Sequence, residues 1–181
     1  MDVCKEMLFK AQLNALKEGL DINFIEQDAV RLKLFEKVDY ITVINDGLNY
    51  IADQDLLKTF KNFYGSLNPF GVLYFDFSTK YRLKNVIGNN VFAEDYDDLT
   101  FLWFNELNGD KINMDMTVFY KNGANYVRRD ESHVQFMHDL CFIESSLKAA
   151  GFSTVTARDF SGGDISPTTE RIEIIAVKSG K

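Results

Sequence analysis

Cysteine is scarce in this 181-residue chain: Cys4 and Cys141 stand far apart, without metal-ligand spacing. A disulfide framework and a Cys/His metal site are thereby excluded, and a reduced, cytoplasmic protein is expected. Positive charge is also in deficit, with 20 Lys and Arg against 27 Asp and Glu for a net charge of −7. No local basic patch offsets it, so neither nucleic acid nor an anionic membrane surface is an expected partner. Long apolar runs are missing as well. The first one, in MDVCKEMLFKAQ, is broken by Lys5, Glu6 and Lys10, which argues against a signal peptide and a spanning helix. Internal repeats and low-complexity linkers are absent.

What the chain does have is apolar material for a core. Hydrophobic residues make up 46% and aromatic residues 14%, with 16 Phe and 8 Tyr, and the length suits one domain. From Val3 to about Glu18, Met7, Leu8, Ala11 and Ala15 recur at helical spacing, predicting a helix with one buried face that Gly19 ends. INFIEQD alternates like a strand. VDYITVI is a nearly continuous β-branched run, which predicts a strand covered on both faces, ending at Asn45-Asp46-Gly47. The next stretch sets Leu56, Leu57, Phe60, Phe63, Tyr64 and Leu67 on one stripe, with Asp53 and Asp55 where a helix dipole favours acids. Asn68-Pro69 stops it, and VLYFDF reads as another buried strand. Strand, helix and strand in this order predict an α/β architecture.

After about Asn90 the pattern changes. Three strands, LTFLWFNEL, KINMDMTVFYK and ANYVRRDESHVQFM, are separated by turn signals at Asn108-Gly109-Asp110 and Lys121-Asn122-Gly123, predicting an antiparallel meander. A helix from about Asp139 to Ala150 and two strands, STVTARDF and RIEIIAVK, close the chain. FSGGDISP between those strands reads as a hairpin loop.

Three carboxylates fall at or near predicted strand exits: Asp28, Asp46 and Asp76. In an open parallel sheet ligands gather at the carboxyl ends of the strands, so these residues are candidates for one crevice. The plainer reading of any one of them is a cap on the following turn. His133 and His138 are candidate rim residues whose plainer readings are a lid position and a helix-start position. Trp103, with Phe101 and Phe104, could wall a pocket or simply fill the meander.

Taken together, DVCKEML at the start, QDA at Asp28, VDYITVINDGLNYI, LNPFGVLYFDFSTKYRL, LKAAGF and TERIEIIAVK resemble class I S-adenosylmethionine-dependent methyltransferases. The subgroup is that of small bacterial enzymes with an antiparallel lid, and the resemblance runs over essentially the whole chain. It implies a Rossmann-like core at residues 1–90 and 139–181, and a β lid inserted at 91–138. S-adenosylmethionine is the implied cofactor, and a small molecule the methyl acceptor. By resemblance, Asp2 would receive the ribose hydroxyls with Val3 beside it. Asp28 would accept the adenine amine, and Ala29 would offer a backbone N–H to the ring. Asn45, Asp46 and Gly47 would lie against the methionine part. Asn49 and Tyr50 would follow on the acceptor rim, with Tyr81 and Trp103 as further candidates there; Arg171, beside Glu170, would meet an acidic acceptor or, on the plainer reading, form an ion pair with the lid. No metal is implied, and no residue is singled out as catalytic.

The same resemblance puts two strands and a glycine-rich loop ahead of Asp2. The family strand order, 3-2-1-4-5-7-6, has its first strand in the middle. The expectation is therefore an amino-terminally incomplete sheet whose open edge is completed by a second chain or a homo-oligomer, or which belongs to a truncated product. The alternative is a non-catalytic module that pairs this edge with a protein partner.

Overall fold

Val38–Val43, rich in β-branched residues, forms strand β1 and pairs in parallel with β2, Leu67–Ser78. Parallel neighbours need a crossover, and helix α2, Asp53–Ser66, supplies it. Leu56, Thr59, Phe60 and Phe63 are its buried residues, and Phe60 stacks on Phe75 of β2 at 5.7 Å. Leu57 is exposed and Tyr64 half-buried, so the stripe is narrower than its spacing predicts. Helix α1, Lys5–Lys17, precedes these elements; helix α3, Leu140–Ala150, follows the lid and leads into β7, Phe152–Asp159. β8, Arg171–Lys178, then inserts antiparallel between β2 and β7, giving the order β1-β2-β8-β7. This is the 4-5-7-6 half of the family order. The computed structural model describes residues 1–180.

The main core lies between this sheet and helices α2 and α3, with Leu48, Phe63, Leu73, Phe75, Ile143, Leu147 and Ile174 almost wholly inaccessible. Each such side chain contributes about 1.5–3 kcal/mol relative to exposure. The inserted sheet is antiparallel and has four strands where the sequence predicts three: β3, Val91–Tyr96, β4, Leu99–Asn108, β5, Lys111–Asn122, and β6, Asn125–Phe136. VFAEDY escapes a sequence reading because five of its six residues are exposed, leaving no apolar alternation. A second, smaller core of Leu83, Ile87, Ile112, Met114 and Met137 joins the lid to a π-helical turn over Arg82–Ile87.

Two further expectations give way in the first 44 residues. Helix α1 buries only Ala15; Met7 is 58% and Phe9 63% exposed, because no sheet face lies under them. INFIEQD contributes a single parallel bridge, Asp2 to Glu26, with backbone bonds from Asp2 N–H to Ile25 and from Gln27 N–H to Asp2. Among the described residues nothing pairs with the outer edge of β1. Its Tyr40 is accordingly 74% exposed, and the strand is not covered on both faces.

Candidate active site

The last β1–β2 pair is Val43 with Phe75, so the next residue of β2, Asp76, clears the end of the parallel ladder. Beyond β1 the chain doubles back through Asn45 and Asp46, two successive non-glycine residues with φ of 58° and 60°. Each such conformation costs of order 1 kcal/mol, somewhat less for Asn and Asp, and is held only where surroundings over-determine it. Gly47 follows because a Cβ there would stand 2.8 Å from Val43 Cγ1.

This turn delivers Asp46 to Asp76. Arg171, the first residue of β8, bridges them: Nη2 donates to Asp46 Oδ2 at 2.8 Å, and Nη1 lies 3.1 Å from Asp76 Oδ2. The Asp76 side chain is 2% exposed, against 15% for Asp46 and 26% for Arg171. Burial moves the Asp76 carboxyl above the ordinary carboxylate range and the Asp46 charge adds to it, while the Arg171 guanidinium and the backbone N–H groups of Asn45 and Asp46 oppose this. Oδ1 of Asp76 and Oδ1 of Asp46 are buried without a hydrogen-bond partner. The other face of Arg171 is covered by the Phe160 ring, 5.4 Å from its guanidinium carbon.

On the amino-terminal side, the Asp2–Glu26 bridge brings the Asp2 and Asp28 segments together. Asp2 Oδ1 accepts the Cys4 N–H and Asp28 Oδ1 accepts the Val30 N–H, both at 2.9 Å. Each carboxylate thus caps its turn with one oxygen, and both residues are exposed. Val3, exposed, and Ala29, half-buried, stand beside them.

The predicted acceptor rim divides. Tyr50, 47% exposed, meets His133 of β6, with Oη and Nδ1 3.3 Å apart. Asn49 is wholly buried, and its amide is spent within the chain: Nδ2 donates to the Ser78 and Phe136 carbonyls, and Oδ1 accepts the Ser78 N–H. It ties β2 to the end of the lid and acts through position. Tyr81 is half-buried at the start of the π-helical turn. Trp103 packs on Phe92 at 5.1 Å, beside the smaller core, so it fills the lid, although its Nε1 is buried and unpartnered. Glu170 pairs with Arg82, leaving Arg171 to the two aspartates.

His138 stands directly before Asp139, the N-cap of α3, as the helix-start reading has it, but its ring is used elsewhere. It is buried, with Nδ1 2.6 Å from Asp53 Oδ1 and Nε2 3.2 Å from the Leu48 carbonyl. With Asn49 it fastens the exit of the lid to the turn that follows β1. Nothing local in the sequence signals this latch, whose partners are 85 to 90 residues apart. No helix is long and apolar enough to cross a membrane, as far as the described residues extend.

Comparison with known proteins identifies relatives of this chain. A family model described as "Methyltransferase domain" matches residues 1–71. The "Putative methyltransferase YqeM" of Bacillus subtilis (strain 168) is 32% identical over 185 residues, covering 99% of this chain and 74% of that protein. A crystal structure of an S-adenosylmethionine-dependent methyltransferase from Clostridium acetobutylicum ATCC 824 superposes with a TM-score of 0.93 at 32% identity, covering 98% of this chain and 73% of the other. DesVI of Streptomyces venezuelae, at 17% identity, shares the fold, with a TM-score of 0.78 over 98% of this chain and 72% of its own.

Proposed function

We propose, from the premise that this chain belongs to the class I S-adenosylmethionine-dependent methyltransferases, that it serves methyl transfer to a small-molecule acceptor in the cytoplasm. The observation that carries the reading is the Asp2–Glu26 bridge, which joins the segments of Asp2 and Asp28, two carboxylates that each cap their own turn with one oxygen. In this assignment Asp2, Val3, Asp28 and Ala29 hold the adenosine end, and Asn45, Asp46 and Gly47 face the methionine end. Tyr50, Tyr81 and Arg171 border the acceptor, while Asn49 and Trp103 hold the rim and lid in place. The cofactor, when bound, supplies an electrophilic methyl group on sulfur. The residues of this chain contribute orientation and exclusion of water, with a base needed only for a protonated nucleophile. An acidic chain with no basic patch and an inserted lid favours a small acceptor over a nucleic acid.

The test is calorimetric titration of the chain with S-adenosylhomocysteine, with its mass in solution measured alongside. Saturable binding that weakens about tenfold in Asp28→Ala supports the assignment, because a lost charge-assisted hydrogen bond is worth roughly that factor. No binding by the folded chain refutes it for this chain, and favours the second reading, a partner seated on the open edge of β1. A dimeric mass with one ligand per chain would favour completion of the sheet by a second copy.

A further inference from the structure

We propose that Tyr50, His133 and Glu131 form a proton-accepting chain at the mouth between core and lid, and that it serves an acceptor whose nucleophile is a neutral hydroxyl or amine. This deepens the methyltransferase reading of the same crevice and rests on it.

The chain of groups comes from two parts of the molecule. Tyr50 ends the turn Gly47–Tyr50 that follows β1, while His133 and Glu131 lie on lid strand β6. Tyr50 Oη stands 3.3 Å from His133 Nδ1, with the two rings edge to face at 5.8 Å, and His133 Nε2 stands 3.5 Å from Glu131 Oε2. Buried bonds fix this meeting. Asn49, next to Tyr50, is wholly buried and donates at 2.9 Å to the carbonyl of Phe136, just beyond His133 on the same strand. The three side chains themselves are open to a ligand: Tyr50 is 47% exposed, and the His133 and Glu131 side chains are 30% and 74% exposed. On its face of the lid His133 has Glu131 and Gln135 beside it on β6 and Met114 opposite it on β5, none of them a cation.

Donor chemistry then assigns the roles. A carboxylate only accepts, so in the neutral ring Nε2 carries the proton towards Glu131, Nδ1 keeps its lone pair, and the Tyr50 hydroxyl donates to it. The phenol oxygen therefore offers only lone pairs to the crevice. A carboxylate or thiolate acceptor would meet those lone pairs and the Glu131 charge, whereas a hydroxyl or an amine brings the missing donor. As that acceptor gives up its proton, its O–H or N–H bond breaks and an O–H bond forms at Tyr50 Oη, while the phenol's former proton forms an N–H bond at His133 Nδ1. The acceptor keeps the electron pair for the methyl group, and Glu131 meets the charge of the imidazolium. Histidine suits the end of such a chain because an ordinary imidazole takes and gives a proton near neutral pH, and a third group orients the base as in other hydroxyl–imidazole–carboxylate arrangements. Tyr50 touches the acceptor; His133 and Glu131 are positioning residues that act through it.

The test reads proton transfer without turnover. The probe is 4-nitrophenol, whose anion is yellow and whose neutral form is not, and the control is 4-nitroanisole, which lacks the hydrogen. At about pH 7 free 4-nitrophenol is part neutral and part anion, so yellow absorbance that rises and saturates as the chain is added, and rises several-fold less with His133→Gln and with Tyr50→Phe, supports the chain. Gln still accepts a hydrogen bond from Tyr50 and takes no proton, so a merely structural role for His133 predicts no loss in that variant. The sequence has two histidines, and nitrogen-15 spectra of their rings, assigned with His133→Gln, read the far end of the relay. Neutral His133 should carry its proton on Nε2, and 4-nitrophenol, unlike 4-nitroanisole, should protonate both nitrogens. Absorbance that stays at the level of the free probe overturns the proposal, as do His133 signals that respond alike to the two probes. S-adenosylhomocysteine titrated into the same samples separates the two claims: absence of that binding defeats the assigned function, whereas absence of proton transfer alone defeats the relay.

Discussion

Helices α1 and α2 are nearly equal in length, at 13 and 14 residues, and both carry apolar side chains at helical spacing. α2 buries four residues, among them Phe60 and Phe63, under a sheet and another helix, whereas α1 buries Ala15 alone. The difference lies in what each helix meets. α2 crosses between two paired strands and is carried onto their face; α1 connects Asp2 and Glu26, whose contact is one bridge outside either sheet. An amphipathic stripe shows that a helix can be buried, and only the neighbouring element decides whether it is.

The largest test of that contrast is a pair of truncations. Phe63→Ala, at a side chain 1% exposed, should cost about 3–5 kcal/mol in urea unfolding. Phe9→Ala, at 63% exposure, should change stability by no more than about 0.5 kcal/mol. A large loss at Phe9 would break the comparison, since it would mean that α1 has a packing partner in solution, as a second copy on the open edge of β1 would provide.

The same contrast explains what was legible in the sequence. The packed half was readable because its signals are local: VLYFDF, the α2 stripe and the turn sequences at Asn108-Gly109 and Lys121-Asn122-Gly123 each act within a few residues. β3 was hidden because its strand is held by main-chain pairing to β4 while its side chains stay exposed. At the candidate site, Asp28, Asp46 and Asp76 stood out by position. What joined Asp46 to Asp76 was Arg171, 125 residues from Asp46 and placed by strand β8. The latch was still less legible, because Asn49, Ser78, Phe136 and His138 come from different elements and meet only when the lid closes on the core.

That latch supplies the next test. Asn49→Ala would leave the Ser78 N–H and two carbonyls without their partner in a buried place. A loss of about 1–3 kcal/mol is expected, with faster amide exchange in β6 than in β8. Equal effects on the two strands would mean that lid and sheet unfold as one unit. A smaller change follows at Asp28→Ala, which removes the cap on Val30 N–H. The local cost should be about 0.5–2 kcal/mol, read as several-fold faster exchange at Val30 to Leu32, while the urea midpoint of the packed half barely moves. A matching shift in that midpoint would show that this turn unfolds together with the core, into which Leu32 packs and to which the Asn62 amide ties the Val30 carbonyl.

The smallest expected effect lies inside the packed half and concerns pH. The Asp76 carboxyl is raised in the folded chain above its ordinary value of 3.8, chiefly by burial. Well below that value it is protonated in both states, and its favourable contribution is fully present. As pH rises past it, the unfolded chain releases the proton while the folded chain keeps it, so folding binds a proton and stability falls with rising pH. The loss is complete once pH has passed the raised value of the folded carboxyl. Asp130 and Asp159 act in the opposite sense, because side-chain hydrogen bonds lower their carboxyls in the folded state. They are present in both proteins when the parent is compared with Asp76→Asn, so subtracting the two stability profiles isolates Asp76. The difference should change through the window that opens near pH 3.8 and be flat below it. A flat difference throughout would mean that Arg171 and the Asn45 and Asp46 N–H groups compensate the carboxylate fully in the folded chain.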